Sequence, residues 1–145
     1  MSHSEFISRS PEQTIQKGRE LAAQLTPPVV VMLYGELGTG KTTLTKGIVN
    51  GLGAGKEDEV TSPTFTLVHV FRNHCKVYHV DLYRVEDFHD LETLGLEDVL
   101  TEHAVVIVEW SERFSLRTDW PAIHVRLEHV EGDTRRITIS DSRER

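Results

Sequence analysis

One cysteine, Cys75, stands in 145 residues, so no intramolecular disulfide can form, and the spacing a Cys-based zinc site requires is missing. No stretch approaches the ~18 consecutive apolar residues of a membrane-spanning helix. The polar start Met1-Ser2-His3-Ser4-Glu5 carries no apolar signal region. A soluble, cytoplasmic protein is the expectation. Positive charge is also scarce: 16 basic against 23 acidic residues leave a net charge of -7. The average field therefore repels phosphate backbones, which argues against tight, direct binding of nucleic acid by this chain alone. Internal repeats, low-complexity segments and linkers are absent. With 38% hydrophobic residues, the length suits one core and is short for two, so residues 1–145 are read as a single domain.

What is present centres on Gly35-Glu36-Leu37-Gly38-Thr39-Gly40-Lys41-Thr42, which fills every position of G-x-x-x-x-G-K-[ST]. The apolar run Val29–Tyr34 leads into it, and a helical pattern through Leu44, Ile48 and Leu52 follows. That is the strand, loop and helix a phosphate-binding loop needs. Gly35, Gly38 and Gly40 let backbone N–H groups turn inward around a β-phosphate, with Leu37 and Thr39 between them. Lys41 adds a point charge for the β- and γ-phosphates, the helix start adds its unpaired N–H groups and dipole, and the Thr42 hydroxyl suits magnesium.

Along the chain, Pro11 to Leu25 reads as an amphipathic helix with Ser10 as N-cap and Pro11 at its first position. The glycine-rich Gly51–Gly55 is a loop, and Glu57-Asp58-Glu59 a solvated run. Alternation from Thr64 to Phe71, a turn at Arg72–His74 and the run Val77–Asp81 suggest an antiparallel hairpin. Helical spacing from Val85 to Leu100 breaks at Gly95, giving two short helices. Ala104–Val108, ending in Glu109-Trp110, has the uniform apolarity of a buried parallel strand. Pro121–Leu127 and Arg135–Ser140 read as closing strands around the turn Glu131-Gly132-Asp133. The fold expected is α/β: a P-loop NTPase, a three-layer sandwich around a mainly parallel sheet with an antiparallel hairpin.

Phosphoryl chemistry needs a metal partner beyond the loop. Glu109, at the carboxyl end of an apolar strand, is where a Walker-B acid belongs, unless it merely caps the strand. Asp81 also ends a strand; it either orients water or the magnesium shell, or is a structural hydrogen-bonding acid. Thr61-Ser62-Pro63-Thr64 reads equally as a nucleotide-ordered switch or an ST-turn. Arg84, Arg135 and Arg136 are candidates to neutralise transition-state charge, and each is equally explained by a surface salt bridge. His69 and His79 read as packed or surface histidines rather than zinc ligands. Trp110 is core, and a reporter of nucleotide. Without an Asn-Lys-x-Asp to read guanine, ATP is favoured over GTP.

Taken together, the loop through Thr43, Ser62-Pro63-Thr64-Phe65-Thr66-Leu67-Val68, His79-Val80-Asp81-Leu82-Tyr83-Arg84 and Val106-Ile107-Val108-Glu109-Trp110 resemble the bacterial TsaE family over nearly the whole chain. The resemblance implies an ATPase needed, with the TsaB and TsaD proteins, for threonylcarbamoyl modification of the anticodon-adjacent adenosine in tRNAs reading codons that begin with A. It implies Lys41, Thr42 and Thr43 at phosphate and magnesium, Glu109 at magnesium and Asp81 in catalysis. It also implies Ser62–Thr64 as a switch, and Ser10 or Thr14 with Arg136 near the nucleotide. In that reading tRNA is met mainly through the partners. A nucleotide-dependent timer and a small-molecule kinase are the alternatives, and 145 residues leave little room for a kinase lid.

Overall fold

A computed structural model describes residues 2–36, 39–53, 68–71, 76–81, 104–109 and 121–141. In chain order the elements are β1 (Ser2–Ser8), α1 (Pro11–Ala22), β2 (Val29–Tyr34), α2 (Lys41–Gly51), β3 (Val68–Phe71), β4 (Val77–Asp81), β5 (Val105–Glu109), β6 (Ala122–Glu131) and β7 (Thr134–Asp141). They form one seven-stranded sheet of order β1-β7-β6-β2-β5-β4-β3. β2 lies parallel to both β5 and β6, and β4 lies parallel to β5. β3, β7 and β1 are antiparallel to their neighbours.

The parallel centre follows from composition. β2 (Val-Val-Val-Met-Leu-Tyr) and β5 (Val-Val-Ile-Val-Glu) are apolar at nearly every position and rich in β-branched residues, as suits strands covered on both faces. Val29, Val31 and Leu33 join the cluster that includes Leu44 and Ile48 of α2 and Leu21 of α1. Val30, Val106 and Val108, of opposite parity, are equally buried. Each such side chain contributes about 1.5–3 kcal/mol on burial.

Pro11 opens α1, the Ser10 side chain accepts the Gln13 N–H at 3.1 Å, and no helix among the described residues is long and apolar enough to cross a membrane. The antiparallel β3–β4 pairing is as expected from the hairpin pattern, and β6 and β7 join through a turn whose Gly132 has φ 53°. β1 was not expected. Its sequence is mostly polar, Ile7 is 37% exposed, and only Phe6 packs on the core; the backbone pairing of Ser2–Ser8 with β7 forms the strand instead. Of the expected loop Gly51–Gly55, Gly51 is the last residue of α2 and Leu52 its C-cap; Ala54 and Gly55, the expected helices between Val85 and Leu100 and the turn at Arg72–His74 lie outside the described residues.

α1 crosses α2 with backbone against backbone. A Cβ on Gly47 would overlap the Ile15 carbonyl oxygen and come within 3.0 Å of Gly18 Cα; one on Gly51 would lie 2.9 Å from Arg19 Cα. The Arg19 Nε donates to Asn50 Oδ1 at 2.9 Å across the same seam. A methyl here meets backbone, which cannot swing aside. Gly47→Ala should therefore destabilise the protein by ~2 kcal/mol, overpacking outweighing the ~1 kcal/mol that alanine gains in helix propensity. Urea unfolding checks it: a midpoint at or above the parent's would mean that the helices are not in backbone contact.

Candidate functional site

The loop leaves β2 at Gly35, whose φ of 150° lies outside the range favoured by other residues. A Cβ there would also stand 2.6 Å from the Leu127 carbonyl oxygen and 2.7 Å from Thr39 Oγ1. Thr39 folds the loop on itself, its hydroxyl donating to the Glu36 carbonyl at 2.7 Å and its backbone N–H to the same oxygen at 3.3 Å. Gly40, at φ 100°, is the N-cap of α2 and supplies no side-chain cap. The first-turn N–H groups, which helix geometry leaves without intrahelical partners, are thus open to an anion. Lys41 is 5% exposed and donates from Nζ to the Gly35 carbonyl at 2.5 Å. Thr42 and Thr43 are half-buried on the first turn. Leu37 and Gly38 lie outside the described residues.

Parallel pairing sets the carboxyl ends of the strands beside this loop. Leu33 is opposite Glu109, and Glu109 is opposite Asp81. Glu109 is 2% exposed. The Thr42 hydroxyl donates to its Oε1 at 3.4 Å, a long bond, and its Oε2 is paired with His79 Nε2. Two ligand oxygens on adjacent corners of an octahedral magnesium, each at about 2.1 Å, stand about 3 Å apart. Thr42 and Glu109 therefore fit the protein share of such an ion. Among the described residues no group of three or more His, Cys, Asp or Glu side chains converges on a metal. Asp81 is at a register position beside Glu109; its side chain lies outside the described residues, as do Trp110 and Thr61–Thr66.

At the other side of the loop, Ser8 and Thr14, both buried, share a hydrogen bond of 2.6 Å, and the Ser8 hydroxyl donates to the Ser10 carbonyl at 2.9 Å. Thr14 approaches the loop by its methyl, 4.0 Å from where a Cβ on Gly40 would sit. Ser10 is engaged as the cap of α1. Arg136 points its Nε at Glu5 Oε1, 3.5 Å away on β1. Among the described residues the arginine beside the loop is Arg126. With Gly35, Glu36, Thr39, Leu127, Glu128 and His129 it lines a cavity of about 600 Å³. Its guanidinium lies 5.4 Å from the Tyr34 ring centroid, a cation–π contact, while the Tyr34 hydroxyl is 2.8 Å from His124 Nδ1. The sequence pattern passed over Arg126 and the His79–Glu109 pair. Arg126 alternates with buried Val125 and Leu127 and His79 precedes Asp81 by one strand repeat, but neither pattern announces the contact the sheet order creates.

Burial holds the His124 ring below its ordinary value of 6.5. The unfolded chain then binds a proton more readily than the folded one. Stability contributed by the neutral ring is present above about pH 6.5 and is lost as pH falls below it. The melting-temperature difference between the parent and His124→Gln should accordingly shrink from pH 7.5 to pH 5.5; a difference that widens on acidification would reverse the sign.

Comparison with known proteins agrees with this geometry. The family profile described as "Threonylcarbamoyl adenosine biosynthesis protein TsaE" matches residues 8–137. A tRNA threonylcarbamoyladenosine biosynthesis protein TsaE of Treponema pallidum is 33% identical over 92% of this chain and 98% of its own length. That of Bacillus subtilis is 35% identical over 90% and 81%. The crystal structure of Bacillus subtilis YdiB superposes with a TM-score of 0.77 at 28% identity, covering 97% of this chain and 86% of that one. The α/β architecture is that of a P-loop fold. Matched by profile from Ser8 to Ile137 and by relatives nearly end to end, the chain belongs to the TsaE family of threonylcarbamoyl adenosine biosynthesis proteins.

Proposed function

We propose that this chain is a single-domain cytoplasmic ATPase that uses magnesium and acts with TsaB and TsaD. In this reading its nucleotide cycle drives or resets the complex that threonylcarbamoylates the anticodon-adjacent adenosine of tRNAs reading codons that begin with A. The observation that carries the reading is the junction of β2, β5 and α2. A helix start without a side-chain cap, a buried lysine and a Thr–Glu oxygen pair meet at one end of the sheet, in a chain of the TsaE family.

The residues divide the work. Backbone N–H groups from Gly35 to Thr43 receive the phosphates, and Lys41, which donates to the Gly35 carbonyl, turns to a phosphate oxygen, an acceptor of opposite charge. Thr42 and Glu109 would hold magnesium. When bound, that ion neutralises charge building on the β- and γ-oxygens. Asp81, next to Glu109 in the sheet register, orients the attacking water or the charge around it. The acidic balance of the chain leaves most tRNA contact to the partners.

Lys41→Ala should weaken ATP by ~2 kcal/mol or more, roughly 30-fold, since the loop N–H groups must then hold a polyanion unaided. Calorimetry with unchanged affinity would remove the loop from this role.

Hydrolysis by the isolated chain should be slow, and faster with TsaB and TsaD present; activation in trans reaches ~10³–10⁵ in other loop NTPases. A reconstituted assay following both ATP hydrolysis and tRNA modification, with Thr42→Ala and Glu109→Ala beside the parent, tests the coupling. Both variants should lose both activities. Rapid hydrolysis indifferent to the partners would favour a self-sufficient ATPase or kinase.

A further inference from the structure

His79 is fully buried on β4, and its Nε2 pairs with Glu109 Oε2. Two features set it apart from a histidine that only fills space. In the tautomer with its proton on Nε2, the ring donates to the Glu109 carboxylate. The other ring nitrogen, Nδ1, is buried with no hydrogen-bond partner among the described residues. A buried polar atom without a partner is destabilising, and an apolar side chain of similar size would avoid the cost. The polar contact shown for the ring is thus the Glu109 carboxylate. That contact divides the two oxygens of Glu109: Oε2 is held by His79, while Oε1 is left on the side of the Thr42 hydroxyl, 3.4 Å away.

We propose that His79 is a positioning residue that fixes the Glu109 carboxylate so that Oε1 is presented with Thr42 to magnesium. The inference rests on the magnesium–ATP reading above and adds to it the group that orients the acid. A glutamate side chain has three rotatable bonds, and on a sheet edge its carboxylate can turn either oxygen to the cation or swing clear. A fixed donor on Oε2 removes that freedom before the ion arrives. Partners of this kind, one bond behind a metal ligand, typically affect metal affinity by 10–100-fold. The adjoining register pair, Asp81 and Glu109, places both acids at the end of the strands, with His79 one repeat behind on the same face.

The test compares His79→Leu, His79→Asn and His79→Gln in the full chain. Glutamine can bring an N–H to the place of Nε2; asparagine stays polar but is too short to reach Oε2; leucine fills space alone. ATP binding is measured by calorimetry in EDTA and across a range of free magnesium, with melting temperature recorded for each variant without nucleotide. In Leu and Asn the magnesium concentration giving half of the metal-linked gain in affinity should rise 10–100-fold. Affinity in EDTA, which depends on the loop and Lys41, should change less than about threefold. Gln should return the magnesium dependence to within a fewfold of the parent. An equal loss of ATP affinity with and without metal, or Asn and Gln behaving alike, would make His79 structural and overturn the proposal. Should Leu fail to fold, the Asn–Gln pair decides by itself. A parent that binds ATP indifferently to magnesium would overturn the metal reading, an outcome distinguished by needing no variant.

Discussion

A carboxylate taken almost wholly out of water has to be met by donors, and the 2% exposed Glu109 imposes that condition on the centre of this fold. Burial without partners would cost several kcal/mol or force the group neutral. Three elements answer it. β5 carries the acid to the carboxyl edge, β4 runs parallel in a register that sets His79 within reach, and the first turn of α2 brings the Thr42 hydroxyl over the same edge. Remove the parallel pairing of β4 with β5 and the acid has no imidazole; remove the helix start and it has no hydroxyl. The arrangement that makes the charge tolerable also collects oxygens and N–H groups at one end of the sheet, where open α/β sheets bind ligands.

A second constraint reaches the loop from behind. Gly18, Gly47 and Gly51 let α1 and α2 touch along their backbones, so α1 fixes where α2 begins as well as covering the core. The Ser8–Thr14 hydrogen bond ties β1 to that helix, and the Thr14 methyl abuts Gly40. An otherwise polar N-terminal strand is thereby linked to the shape of the phosphate loop through packing. This gives a physical content to the expectation that Ser10 or Thr14 stands near a nucleotide: Thr14 borders the loop, while Ser10 is occupied in capping.

The parts of the fold legible in sequence were those with strong local signals. Val29–Tyr34 and Ala104–Val108 are too uniformly apolar for a half-exposed strand, Ser10-Pro11 marks a helix start, and the loop spells its own conformation in glycine. The position of Glu109 at the end of a buried strand was legible, because it is an argument about topology. β1 was not, since Ser2–Ser8 owes its conformation to pairing with β7, some 130 residues away. His79 was read as packed, and it is; its partner was invisible because no sequence spacing announces a contact between neighbouring parallel strands. Arg136 and Arg126 show the same limit. Both lie on exposed strand positions, and only the sheet order puts Arg126 beside the loop while Arg136 turns to Glu5.

The resting contact of Lys41 with the Gly35 carbonyl has a bearing on how such a loop can be ready for a polyanion. A buried ammonium left without an acceptor would be driven to lose its proton. A side chain free in solvent would instead have to be ordered at the moment of binding, at about 2 kcal/mol of rotamer entropy. Donating to a carbonyl of its own loop gives Nζ an acceptor and confines the side chain at the mouth of the helix. In the proposed reading a phosphate oxygen would join or replace the Gly35 carbonyl as an acceptor of the ammonium, adding attraction between opposite charges to the hydrogen bond. The glycines, already at φ 150° and 100°, hold the surrounding backbone in the same turn. In this loop the lysine and the backbone are held by the same turn: the Gly35 carbonyl accepts from Lys41, and its lack of a Cβ lets the chain pass close to Leu127.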